Sequence, residues 1–221
     1  MGPGSCHDTG GQGPRVRHVG RARPCSRRGC ILKRVVLGVS GASGAVIALR
    51  IGELLASLPD VELHLVVSEA AKRTFAHELG PDALGRLVEF ARHNYPANDI
   101  GATIASGSFR TAGMIVAPCS MRSVAAIATG LSDNLLTRAA DVHLKERRKL
   151  ILLARETPLH LGHLRNMVAV TEMGATIMPP VPAFYRRPET ITDIIDHIAA
   201  RAIDQLDLGQ PPLAVEWDGD A

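Results

Sequence analysis

Aromatic residues are scarce in this 221-residue chain: one Trp, two Tyr and four Phe, or 3%. Proteins that grip single-stranded nucleic acid stack bases on aromatic side chains, so that class is disfavoured. Cysteine is as thin. Cys6, Cys25 and Cys30 fall in the first 30 residues, and Cys119 stands alone in the rest. No internal disulfide framework can form there, and a reducing, cytoplasmic setting is expected. No apolar run reaches the roughly 18–20 residues of a membrane span. The basic N-terminal stretch also lacks the apolar centre of a signal peptide.

A one-sided charge is missing from the body too. The formal net charge is +3, but eight of the 25 Lys/Arg and only one of the 22 Asp/Glu lie in residues 1–34. The remainder carries 17 basic against 21 acidic residues, so the footprint of a nucleic-acid binder is absent from it. Residues 1–32 read as a disordered basic extension or an over-long start of the reading frame. Their Gly and Pro content argues against the amphipathic helix of a transit peptide.

What is present is ordinary globular composition, 46% hydrophobic and 21% charged. Apolar runs at 34–39, 61–67, 114–117, 150–154 and 175–178 alternate with segments of helical period at 45–58, 69–78, 82–92, 123–129, 134–148, 161–173 and 191–206. Pro118 is expected to stop the third strand. Near-continuous apolar strands between amphipathic helices predict a doubly wound α/β domain over 33–208. This is a parallel sheet in a Rossmann/flavodoxin-like three-layer sandwich, with a loose tail at 209–221.

Ligands of such sheets bind outside the carboxyl ends of the strands. There the sequence places Ser40–Gly44, Ser68, Cys119-Ser120 and Arg155-Glu156, a polar rim suited to a phosphate-bearing ligand. The turn Gly38-x-Ser40-Gly41-Ala42-Ser43-Gly44 enters a helix directly, and such a terminus attracts phosphate. It is neither the dinucleotide fingerprint nor a P-loop. Ser68 replaces the acid that a dinucleotide site needs, so a mononucleotide such as FMN fits better. A plain tight turn with a capping serine explains the same residues. Ser43 nearly matches a nucleophile elbow but lacks its last glycine and a partnering His. His160 and His163 have metal-ligand spacing without a third ligand, so capping is the simpler role.

Arg138 and Lys145 lie seven residues apart on one helix face. Arg201 continues the stripe Ile194–Ile198 on the last helix, so partial burial opposite an anion is expected, either an acidic side chain or a ligand phosphate. The stiff segment Pro179–Tyr185 holds Tyr185 over a pocket or simply reverses the chain. Cys119 reads as a small packed residue.

Six blocks in order, GVSGASGA (38–45), ASGSF (105–109), APCSMRS (117–123), LLTRAADVHLKERR (135–148), RETPLHLGHLRNM (155–167) and MPPVPAFYRRP (178–188), make the chain resemble the UbiX-type flavin prenyltransferases (UbiX/Pad family). These belong to the wider homo-oligomeric flavin-containing Cys decarboxylases. The resemblance implies metal-independent transfer of a dimethylallyl group from dimethylallyl phosphate to N5, then C6, of reduced FMN. The prenylated FMN serves UbiD-type decarboxylases. It places FMN on Gly41, Ala42, Ser43, Ser68, Ser120, Met121, Arg122, Ser123 and Arg155. The donor falls to Lys145, Arg155, Tyr185 and Arg201, with Arg138 nearby, and Ser43, Glu78, Lys145 and Glu156 carry catalysis. A dodecamer with shared sites is implied, with no nucleic acid, membrane or metal involved. Trp217 receives no role. A cysteine-type decarboxylase or a non-catalytic FMN-binding module is the alternative.

Overall fold

The computed structural model describes residues 1–2, 32–217 and 219; most of the N-terminal extension, with its three cysteines, lies outside the described residues. Six strands form one all-parallel sheet: β1 (Lys33–Val39), β2 (Val61–Val67), β3 (His93–Tyr95), β4 (Gly113–Cys119), β5 (Lys149–Ala154) and β6 (Thr176–Ile177), in the order β3-β2-β1-β4-β5-β6. The chain moves outward from β1 through β2 to β3, then returns past β1 to β4 and runs the other way. The switch point lies between β1 and β4.

Strand alternation sends Val35, Leu37 and Val39 into one core with helices α1 (Ala45–Ser57), α2 (Glu69–Leu79), α3 (Ala83–Phe90) and α7 (Ile191–Asp204). It sends Val36, Met114, Val116, Leu150 and Leu152 into a second core with α4 (Met121–Ala128), α5 (Leu135–Lys145) and α6 (Leu161–Glu172). Both faces are thus covered, which is why the strands read as unbroken apolar runs.

Three features depart from the sequence reading. Pro118 does not end the third apolar strand; it sits inside β4 at an irregularity between Val116 and Cys119, a place where a missing N–H is tolerated. A short edge strand, His93–Tyr95, follows α3, where polar residues hid it. The segment after Gly209 is not loose: the Asp204 carboxylate accepts the backbone N–H of Leu213 (2.8 Å) and Ala214 (3.0 Å), and Ala214 is buried.

Candidate functional site

The turn after β1 approaches the turn after β4 closely. Ser40, buried, donates its hydroxyl to Pro118 O (2.9 Å) and accepts the backbone N–H of Ser120 at 2.7 Å. Arg155, at the end of β5, donates its backbone N–H to Cys119 O (3.0 Å) and its Nε to Ser43 O (3.2 Å). Gly41 has no room for a side chain, since a Cβ there would stand 2.4 Å from that of Ala70. These contacts draw Gly41, Ala42, Ser43, Ser68, Ser120 and Arg155 onto one rim.

Helix termini give this rim its charge preference. Ser68 and Ser120 cap α2 and α4 through their hydroxyls. The first amides of α1 are already occupied: Gly44 and Ala45 donate N–H groups to the Glu78 carboxylate at 3.0 and 2.8 Å. Burial alone would raise the Glu78 pKa, but the Ser43 hydroxyl, those two amides and the Arg155 charge outweigh it. They hold the group below the usual carboxylate range. The Ser120 hydroxyl takes the Ser123 N–H at 3.3 Å, which leaves the amides of Met121 and Arg122 at the α4 terminus for an external anion. The Arg122 side chain reaches out to Asp133. Small residues, hydroxyls and a guanidinium around a free helix terminus fit the phosphate and ring of a flavin mononucleotide. In one chain this rim is open, with Gly41, Ser43, Arg122 and Glu156 all exposed.

The remaining donor residues do not reach this rim within one chain. Lys145 ends α5, just before the amino end of β5, whereas Arg155 follows its carboxyl end. The six-residue strand separates them by about 20 Å. Lys145 pairs with Glu146 and lies against Gly107, and Arg138 is ion-paired with Asp141 at 2.7 Å. The expected single cluster of cations is therefore not assembled on one protomer, because helical spacing fixes a face but not an end of the sheet.

Arg201 was expected to be partly buried; it is exposed, and it makes none of the ion pairs among the described residues. It borders a hollow of about 450 Å³ with Tyr185, His197, Asp204 and Trp217. The Trp217 ring meets Tyr185 edge-on, 5.3 Å between centroids, and His197 also meets Tyr185 edge-on at 6.4 Å. Helix α7 runs antiparallel to the strands, and Leu206 just beyond it packs beside Gly113 at the amino end of β4. The hollow thus lies away from the Arg155 rim. Sequence reasoning missed His197 and gave Trp217 no role, and it placed Ser40 on the rim without its bridging bonds; the single tryptophan was the one further signal available.

Two histidine clusters have structural work. His160 Nδ1 accepts the N–H of Gly162 (3.0 Å) and of His163 (3.3 Å), capping α6. Glu62, His64 and His93 bring three ligand atoms within 4.8 Å, but Arg34 Nε stands 3.6 Å from Glu62. His64 is engaged at both nitrogens, by Tyr95 (2.9 Å) and Glu62 (2.8 Å). Burial lowers the His64 pKa, so the neutral ring donates Nε2–H to the carboxylate and accepts from the phenol. Burial pushes the Cys119 thiol up to about 12, leaving it an inert packed group.

The family model described as Flavoprotein matches residues 28–203. The flavin prenyltransferase UbiX of Thauera aromatica is 53% identical over 186 residues, 84% of this chain and 94% of that protein. Among solved structures, AnUbiX (PadA1) in complex with FMN and dimethylallyl pyrophosphate superposes with a TM-score of 0.79 at 45% identity, covering 85% of this chain and 98% of that one. A dodecameric FMN-dependent UbiX-like decarboxylase from Escherichia coli O157:H7 gives a TM-score of 0.79 at 46% identity, covering 84% and 100%.

Proposed function

The chain belongs to the flavoprotein family and, within it, to the UbiX-type flavin prenyltransferases, and from that premise we infer that it transfers a dimethylallyl group from dimethylallyl phosphate to reduced FMN. The observation that carries this reading is the rim at the β1–β4 switch point. In a chain about half identical to flavin prenyltransferases, it gathers the residues that a flavin mononucleotide needs.

FMN rests on Gly41, Ala42, Ser43, Ser68, Ser120–Ser123 and Arg155, with its phosphate toward a helix terminus. The donor breaks its carbon–oxygen bond, and the electron pair leaves with the phosphate. Arg155, Lys145 and Arg201, with Arg138 at the margin, meet that growing charge in place of a metal ion. Tyr185 shields the allylic cation. Ser43 and Glu78 orient the N5 edge, the Glu78 carboxylate held ionised by the α1 amides. Glu156 takes the proton from C6; a Glu156→Gln protein that still closes the new ring at the native rate overturns that assignment.

Lys145, Arg201 and Arg155 occupy three separate places on one protomer, so the complete site is built from more than one copy. Leu161, Leu164 and Val168 form an exposed apolar stripe on α6 suited to such an assembly, and a UbiX-like relative is dodecameric. Prenylated FMN then passes to a UbiD-type decarboxylase in the cytoplasm. No helix among the described residues is long and apolar enough to cross a membrane.

The test is anaerobic incubation of the protein with reduced FMN and dimethylallyl phosphate, followed by mass analysis of the flavin. A gain of one C5 unit is expected. Unchanged flavin overturns the reading in favour of a non-catalytic FMN-binding module. Loss of carbon dioxide from a peptidyl cysteine favours a decarboxylase.

A further inference from the structure

His197 lines the same hollow as Tyr185 and Arg201 and also the adjoining one, about 580 Å³, between α1, α7 and the 183–189 loop. It precedes Arg201 by four residues, so both side chains leave one face of α7. Its ring meets Tyr185 edge-on at 90°, and Trp217 also meets the same phenol edge-on. The Tyr185 ring therefore has two aromatic neighbours, one of which titrates.

The charges around His197 are lopsided. Arg201 follows it on α7, and Arg186 approaches from the preceding loop, tied to Val215 O at 3.0 Å. The acids are engaged elsewhere. Asp193 accepts the N–H groups of Glu189 and Thr190, Asp196 pairs with Arg50, and Asp204 holds the amides of Leu213 and Ala214. Glu216 borders the hollow from the C-terminal segment. Two guanidinium groups thus face His197 without an acid dedicated to either among the described residues.

Resting on the reading of this hollow as the place of the donor phosphate, we propose that His197 is a further positioning residue of the donor site: it holds Tyr185 and takes up a proton when a phosphate dianion binds beside Arg201. Burial, then Arg186 and Arg201, lower its pKa in the free protein, with Asp204 opposing. A dianion reverses the local field and raises it. A group whose pKa is higher in the complex draws a proton on binding, so donor affinity strengthens as pH falls through the interval between the two values.

The experiment is calorimetric titration of the full chain, loaded with oxidised FMN so that no turnover occurs, with dimethylallyl phosphate from pH 6.5 to 8.5 in two buffers of different ionisation enthalpy. The native protein, His197→Phe and His197→Gln are compared. Proton uptake and a Kd that tightens several-fold toward pH 6.5 are expected for the native protein. His197→Phe keeps the ring against Tyr185, so it retains affinity at pH 8.5 within about twofold and loses most of the pH dependence. His197→Gln loses both. FMN affinity, set by the rim residues that neither substitution alters, stays the same in all three. Identical Kd profiles and proton uptake in native and His197→Phe proteins overturn the proposal. A native protein that binds the donor with this pH dependence yet never prenylates reduced FMN overturns the enzymatic reading and leaves the role of His197 standing.

Discussion

The Ser40 Oγ accepts the backbone N–H of Ser120 at 2.7 Å while donating to Pro118 O. One buried hydroxyl thereby joins the two turns that flank the switch point. Ser40→Ala strands the half-buried Ser120 N–H, while Pro118 O keeps the Ser40 backbone N–H at 3.2 Å, and is expected to cost about 1–3 kcal/mol. It should also weaken FMN binding, because the α4 terminus loses its tie to the β1 turn. Ser40→Thr keeps the hydroxyl and stays near native. Urea unfolding and a flavin fluorescence titration check both effects.

Glu78 is expected to lend pH-dependent support to α1. Its pKa is lowered on folding, so its stabilisation is complete above its ordinary value near 4.5 and is lost as pH falls through the folded value. Glu78→Gln should unfold about 0.3–1 kcal/mol more easily at pH 7, the usual worth of a charge at a helix terminus. Its stability should also fall less steeply below pH 4.5. Denaturant midpoints at pH 7 and across pH 3–5 provide the comparison.

Lys145 and Arg155 lie at opposite ends of β5, which makes complementation a direct test of shared sites. Lys145→Ala and Arg155→Ala proteins are each expected to lose prenyl transfer by 10²-fold or more. Dissociated and reassembled together in equal amounts, they should regain about a quarter of the native rate, since random pairing rebuilds some sites with both native residues. Failure of the mixture to exceed either variant places both residues in one protomer's site and contradicts the geometry.

His143 is buried between α5 and the start of β4. Its Nδ1 lies 2.7 Å from Ala139 O and its Nε2 lies 2.8 Å from the Thr111 hydroxyl. Burial lowers its pKa to about 4. The unfolded chain therefore binds a proton that the folded one refuses between pH 6.5 and 4, and stability falls across that window by about 3 kcal/mol as pH drops. His143→Gln should flatten that decline, measured by denaturant unfolding at half-unit pH steps. His64, also lowered by burial, contributes part of the slope that remains.

Much of this fold was legible because two-sided burial writes apolar runs directly into β1, β2, β4 and β5. The capping serines Ser68 and Ser120 likewise mark helix starts. His93-Asn94-Tyr95 was hidden: a three-residue polar edge strand has no periodicity, and the bond from Tyr95 to His64 that anchors it is tertiary. The rim residues Gly41–Ser43, Ser120 and Arg155 were locatable since each directly follows a strand. Lys145 was not, because a residue's place along the sheet depends on which way its helix runs. Arg201 continued an apolar stripe in sequence, yet α7 turns that position outward to the hollow. His197 and Trp217 matter through one shared neighbour, Tyr185, and no local pattern carries that information.

Asp204 clasps two amides that stand only three or four residues before Trp217. The carboxyl-terminal segment is consequently a tethered flap, held by Asp204 at the foot of α7 and by Arg186, which donates to Val215 O. Nibbling by a carboxypeptidase past Trp217 would therefore erode one wall of the Tyr185 hollow while circular dichroism stayed native. On the proposed reading of that hollow as the donor's place, prenyl transfer would fade before any of the architecture was lost.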